Sequence, residues 1–449
     1  MPADRPNILW IMTDEQRVDS LGCYGNAWAK TPHVDALAGR GVRMNRAYVQ
    51  SPICVPSRGS MLTGRYCRCL GMMQNCDSLG HDEITLTRVL NAHGYTTANF
   101  GKVHLGGGPH GFMHHDATGD RSGVSPYEAP DAAGGFPVRA VTDQVSPAVI
   151  VSGTYPGRVE DHEAYVRTQG GIDFLASAPA EPFMLRVSLL SPHTPVLAPA
   201  PYDALHDPVD MPIVDIDDDE LATKPSPQRR YCDYYRVREL SDADRRRWMA
   251  HYHGLASFVD AQIGRLLGAL DRSGMAGNTI VALCSDHGCM VGDKGMVTKG
   301  PFDYEPTNRV AFILSAPWEL PQGEVCEDFA ELVDFMPTLL DLCRVRIPET
   351  VQGRSLAPRL RGEVQGHRDA VFSEGDGINL DGLKPPPRVP RCAVRTERYK
   401  LVHFPQLDEG ELYDLEADPQ ERINRFNDSG YAAVRQQLLD RLAEWHRRF

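Results

Sequence analysis

Four apolar runs, each ending in charged or imidazole groups, constrain this chain more than any other feature. Residues 7–12 read as a buried strand and lead at once to Asp14 and Glu15. Residues 96–100 lead to Lys102 and His104, residues 183–190 to His193, and residues 279–284 to Asp286 and His287. Such runs alternate with helical patterns along most of the chain, which predicts an α/β fold with a large sheet flanked by helices. In open α/β sheets ligands bind at the carboxyl edge of the strands, so these groups are expected to converge there. One Asp or His after a strand is ordinarily a turn former or a helix cap. Four such coincidences point to a site.

Between the runs, helical spacing predicts helices over residues 33–40, 85–93, 243–270, 334–343 and 431–447. In the long one, Trp248, Tyr252, Leu255, Val259, Ile263, Leu266 and Leu270 share a face. His251 and His253 there read as surface or packing residues. A Gly-rich segment over residues 353–366 suggests a boundary between a catalytic domain of residues 1–366 and a small C-terminal domain of residues 367–449. That smaller part carries strand-like runs at 370–373, 391–394 and 399–404 before the last helix. Residues 106–170, rich in Gly, Pro, His and Asp, read as long loops, with His110, His114 and His115 candidates for a substrate mouth. The acidic run 215–220 reads as a solvated loop.

A net charge of −13 argues against a nucleic-acid surface. It leaves room for a small anionic substrate, because a few local cations dominate a cleft. The first apolar run is too short to span a membrane and has no cleavage pattern beside it, which predicts a cytoplasmic protein. Eleven cysteines are an odd count in a chain long enough to need no disulfides. Cys67, Cys69 and Cys76 fit no firm zinc spacing and read as reduced thiols.

Cys54 stands just ahead of a predicted helix that starts near Pro56 and stops at Gly64, where a helix N-terminus favours an anion. Taken alone it is equally a small buried thiol. Asp14, Glu15, Asp286 and His287 are hard oxygen donors with one imidazole, suited to a divalent cation. Arg58, Lys102, His104, His193 and Lys299 are cationic or protonatable. A cation ringed by such groups suits a charged oxyanion ester, hence sulfuryl or phosphoryl transfer.

Cys54-Val55-Pro56-Ser57-Arg58, followed by Leu62-Thr63-Gly64-Arg65, resembles the signature of the type I sulfatases of the alkaline-phosphatase-like superfamily. The resemblance extends through Thr13-Asp14-Glu15-Gln16-Arg17, Gly101-Lys102-Val103-His104, Ser191-Pro192-His193-Thr194-Pro195, Ser285-Asp286-His287-Gly288 and Thr298-Lys299-Gly300. It reaches Arg398-Tyr399-Lys400 and Glu411-Leu412-Tyr413-Asp414-Leu415 near the end. It implies that Cys54 is oxidised to formylglycine (3-oxoalanine) by a formylglycine-generating enzyme. The hydrated aldehyde then attacks the sulfur of a small-molecule sulfate ester (aryl, sugar or alkyl). By the same resemblance Asp14, Glu15, Cys54, Asp286 and His287 surround a divalent cation, Ca²⁺ by family habit, with Mn²⁺ or Mg²⁺ also suited. His193 and Lys299 bind sulfate and protonate the leaving oxygen, His104 takes a proton from residue 54, and Arg58 and Lys102 neutralise charge. Many family members carry Asp where this chain has Glu15, and Asn where it has His287. A histidine there is shared with phosphonate monoester hydrolases, which makes phosphonate or phosphodiester hydrolysis the alternative activity. A non-catalytic anion binder would show gaps in this machinery, and the sequence shows none.

Overall fold

The computed structural model describes residues 5–116, 152–377 and 388–449. Residues 117–151 of the expected loop and the prolines 385–387 lie outside the described residues. The strands in chain order are β1 (Asn7–Asp14), β2 (Val42–Tyr48), β3 (Thr96–Gly101), β4 (His114–His115), β5 (Ser152–Thr154), β6 (Phe183–Pro192), β7 (Val196–Ala198) and β8 (Thr279–Ser285). They continue as β9 (Arg309–Val310), β10 (Phe312–Ser315), β11 (Glu324–Glu331), β12 (Ala370–Asp376), β13 (Pro390–Thr396), β14 (Tyr399–Phe404) and β15 (Glu409–Asp414).

The large sheet runs β11-β2-β10-β8-β1-β6-β3-β4, with β9 beside β2. Its centre, β8-β1-β6-β3, is parallel, whereas β10 runs antiparallel to its neighbours. Every residue of β1 is buried, as expected of a parallel strand covered on both faces. Side-chain alternation divides it: Leu9 and Ile11 pack with the helix Asp242–Arg272 in one core. Ile8, Trp10 and Met12 pack with Leu86, Leu90, Phe335 and Leu339 in the other. The predicted helical face, Trp248 to Leu270, is the buried one. Ser241 caps that helix by accepting the Asp244 N–H, and Asp242 and Asp244 complement its N-terminus.

Register places the site. Thr13 lies opposite Ser285, and Met12 and Gly101 both lie opposite Ser188. The groups that follow these strands therefore leave the sheet at one level. Gly101, at φ 106, is required here, since a Cβ would lie 1.9 Å from the Ser188 carbonyl oxygen.

A second, antiparallel sheet, β12-β13-β14-β15, packs Val394, Leu401 and Leu412 against Leu438, Leu442 and Trp445 of the helix Ala432–Arg448. The Phe372 ring stacks on Trp445 at 4.9 Å. Asp303 accepts from Ser373 and Arg391, tying this sheet to the segment just beyond Lys299.

Two local expectations are corrected. The helix begins at Cys54 itself, with Ile53 as its cap, so Pro56 stands at the third position. Within the acidic run, Asp217 caps a short helix, Asp218–Ala222, and Glu220 accepts from buried Lys294. A short capped helix replaces the expected loop, while residues 215 and 217–219 stay exposed to solvent. Among the described residues, no helix is long and apolar enough to cross a membrane.

Candidate active site

The helix Cys54–Thr63 is buried along its whole length and ends at Gly64, whose φ of 65 makes the left-handed stop that glycine accepts. Burial on all sides fixes its first turn against the sheet edge. Cys54 Sγ lies 3.1 Å from His287 Nε2, 3.6 Å from Lys102 Nζ and 3.7 Å from Asp14 Oδ1. One turn on, Arg58 bridges two strand ends: its Nε donates to Asp286 at 2.7 Å and a terminal nitrogen to Asp14 at 2.9 Å. Its other nitrogen donates to the Lys102 carbonyl and to Ser188. Ser57 donates to the Asp286 carbonyl, and Asn75 accepts the Val55 N–H.

A second cluster is built on Glu15, which has φ 61. Its N–H donates to Asp286, and its carbonyl accepts from the Tyr252 hydroxyl at 2.7 Å. Its carboxylate accepts from Cys289 Sγ–H and from Lys299 Nζ, each at 3.0 Å. Lys299 also donates to His193 Nε2 at 2.7 Å, while His193 Nδ1–H donates to the Thr194 carbonyl. His104 takes a left-handed backbone, and its buried Nδ1 has no partner among the described residues.

The charges oppose one another. Burial and the Cys54 sulfur push Asp14 upward, but Lys102 and Arg58 outweigh them and hold it well below the usual carboxylate range. Asp286 moves the other way, raised by burial and by Asp14 against the pull of His287 and Arg58. Burial works against a charged His287, yet Asp286 and Cys54 raise it to about 9. The Cys54 thiol, which burial would raise, is lowered strongly by Lys102, Lys299 and His287. Two carboxyl groups and the Cys54 sulfur thus face one point.

That arrangement fits a divalent cation. Asp14, Cys54, Asp286 and His287, all buried, bring one donor atom each within 4.8 Å of one another. Donors around a Ca²⁺-sized ion, at about 2.3–2.6 Å from it, lie at most about 5 Å apart. His287 Nδ1–H donates to the Gly288 carbonyl at 2.8 Å, so Nε2 is the nitrogen that faces the point of convergence and would ligate a cation once unprotonated. A positively charged neighbourhood on the far side suits the oxyanion of an ester.

All ten residues singled out in the sequence lie at this edge, in two linked clusters. Glu15 stands with Lys299 and His193, outside the group formed by Asp14, Cys54, Asp286 and His287. Of the other candidates, His110 Nε2–H donates to the Gly106 carbonyl, and His114 and His115 form an exposed edge strand. Tyr24 is engaged with the backbone of β2 and β10. His253 is buried edge-on to Trp28. Sequence reading passed over Cys289, Tyr252, Ser188 and Asn75. Tyr252 carries the same apolar spacing as its core neighbours, so only its hydroxyl could have marked it. Ser188, one of the few polar residues in an otherwise apolar strand, was the visible signal.

The chain matches known proteins over nearly its whole length. The Sulfatase family profile covers residues 6–345, and that of N-sulphoglucosamine sulphohydrolase, C-terminal, covers residues 292–448. It is 30% identical to an arylsulfatase of Clostridium perfringens over 95% of this chain and 91% of the relative. The phosphonate monoester hydrolase of Agrobacterium radiobacter superposes with a TM-score of 0.85 at 26% identity, covering 99% of this chain and 96% of that one. A protein solved in complex with its substrate D-glucosamine-2-N,6-O-disulfate gives a TM-score of 0.77 at 25% identity, covering 99% and 98%. With its family profile spanning most of the length and the site assembled at the sheet edge, the chain belongs to the sulfatase family, whose members are sulfuric ester hydrolases.

Proposed function

We propose that this protein hydrolyses the sulfate ester of a small alcohol, with residue 54, as formylglycine, supplying the nucleophile. The supporting observation is the place of Cys54, buried at a helix start and 3.1 Å from His287 Nε2, beside Asp14 and Lys102. Asp14, Asp286, His287 and residue 54 would hold a divalent cation, Ca²⁺ by its preference for carboxylate oxygens, or Mn²⁺ given the imidazole. Such an ion supplies Lewis acidity and neutralises charge on the transferring group.

This chain's residues supply the rest. Arg58 holds the Asp14 and Asp286 carboxylates in register. Lys102 and Lys299 face the non-bridging oxygens of the sulfate. Lys299 and His193 share a proton across 2.7 Å and deliver it to the leaving alcohol oxygen. His104, whose ring helps lower the residue-54 thiol, accepts the proton of the remaining hydroxyl at residue 54, so that the bond from its carbon to the sulfate oxygen breaks, sulfate leaves and the aldehyde is restored. We place the catalytic domain at residues 1–366 and the small domain at 367–449, with a formylglycine-generating enzyme as the maturation partner. The alcohol belongs to the aryl, sugar or alkyl class, in keeping with the arylsulfatase and the disulfated glucosamine complex among the relatives.

Phosphonate monoester hydrolysis is the second reading, favoured by the superposition on the Agrobacterium enzyme. Paired assays on one aryl alcohol decide between them. The expected result is a kcat/KM for the aryl sulfate above that for the aryl phosphonate by at least about tenfold, some 1.4 kcal/mol of transition-state preference. The reverse ratio assigns the phosphorus ester.

A further inference from the structure

We infer that Glu15 is a positioning residue for Lys299 and His193, held off the cation by the thiol of Cys289. The inference rests on the proposed site but concerns a residue pair that the sulfatase chemistry does not require.

Four observations carry it. The backbone of Glu15 is pinned at both ends of its peptide groups: the N–H by Asp286 and the carbonyl by Tyr252, whose hydroxyl in turn accepts the Arg17 N–H at 2.8 Å. With φ at 61, the side chain is aimed away from the path that β1 would otherwise continue. Both carboxylate oxygens are occupied by donors, Oε1 by Cys289 and Oε2 by Lys299. The four donors Asp14, Cys54, Asp286 and His287 converge without it. Glu15, Asp14 and His193 also approach one another closely, but a cation there would sit beside the Lys299 ammonium, and Asp14 Oδ2 is already taken by Arg58 and Lys102. Glutamate reaches one methylene further than aspartate would, and its carboxylate lies on Lys299 and Cys289 rather than among the four converging donors. Cys289, 2% exposed, is the donor that fixes the far oxygen.

Three readouts test this. Calorimetric titration of metal-stripped protein with Ca²⁺ and with Mn²⁺ is expected to give Glu15→Gln an affinity within about threefold of wild type, while Asp286→Asn loses at least about 100-fold. An equal loss in both variants overturns the inference. The infrared S–H stretch of Cys289, assigned by its disappearance in Cys289→Ala, is expected to move to higher wavenumber in Glu15→Gln, as a carboxylate acceptor becomes a weaker amide. An unmoved band overturns it. Cys289→Ala is expected to lower kcat by about tenfold with KM little changed, and Cys289→Ser, which keeps a donor, to restore it to within about threefold. Failure of serine to restore kcat in a folded variant also overturns it. Should the wild type turn over no sulfate ester, the proposed function falls, while the affinity and infrared readouts still decide the role of Glu15.

Discussion

Two regions of this molecule bury many charges, and they are built on opposite rules. At the seam between the sheets, charges close on one another. Arg368 spans Glu331 and Asp334, His367 donates to Asp334 at 3.0 Å, and Tyr66 and the Phe372 N–H complete Glu331. Each carboxylate oxygen there has its donor. At the carboxyl edge of the large sheet, Asp14, Asp286, Cys54 and His287 instead turn one donor atom each toward a common point. The seam pairs its charges between two sheets, whereas the edge gathers four donor atoms within 4.8 Å of one another, as a cation site requires.

The sharpest way to break this comparison is at residue 54. Cys54→Ala is expected to lower aryl sulfate turnover by at least about 10⁴-fold, while the melting temperature by scanning calorimetry stays near that of wild type. A large loss of stability would mean that the site is scaffolding like the seam. Stripping divalent cations with a chelator is expected to abolish turnover, with the circular dichroism spectrum preserved and the melting temperature lowered. Readdition restores both, because an ion that binds only the folded protein stabilises it by mass action.

The seam gives the opposite result. Arg368→Met leaves two buried carboxylates without their cation and is expected to cost about 3–5 kcal/mol in chemical denaturation. Turnover per folded molecule should be unchanged. A loss of kcat in the folded fraction would show that the seam transmits to the Lys299 segment.

A smaller effect separates regions by pH. Burial depresses His253 to about 3 and His206 to about 4, beside Trp28. Folded values below the ordinary 6.5 mean that the unfolded chain binds more protons. Their contribution is therefore complete above that value and lost as pH falls toward 4 and then 3. In chelated protein His287, raised to about 9, has the reverse sign: its contribution is complete below its ordinary 6.5 and lost as pH rises through 9. Melting temperatures across pH are expected to show an acid limb reduced by His253→Phe, and an alkaline limb that added cation removes.

Much of this was legible in the chain because it rests on local periodicity. The all-apolar run before Asp14 and the 242–272 face each follow from spacing alone, and strand ends carrying His193 and Asp286 announce a sheet edge. Contacts made by returning loops were not legible. Cys289 acquires its partner only because the segment after β8 folds back on Glu15, 274 positions away in sequence. Nor does spacing tell that Asp218–Ala222 forms a helix, since Lys294, which donates to Glu220, arrives from elsewhere.

The measurement closest to the central claim is the mass of the tryptic peptide spanning residues 47–58, from protein produced beside an active formylglycine-generating enzyme. The expected peptide is one in which the CH₂–SH of residue 54 has become CHO or its hydrate. An intact thiol, with a control sulfatase converted in the same cells, would contradict it.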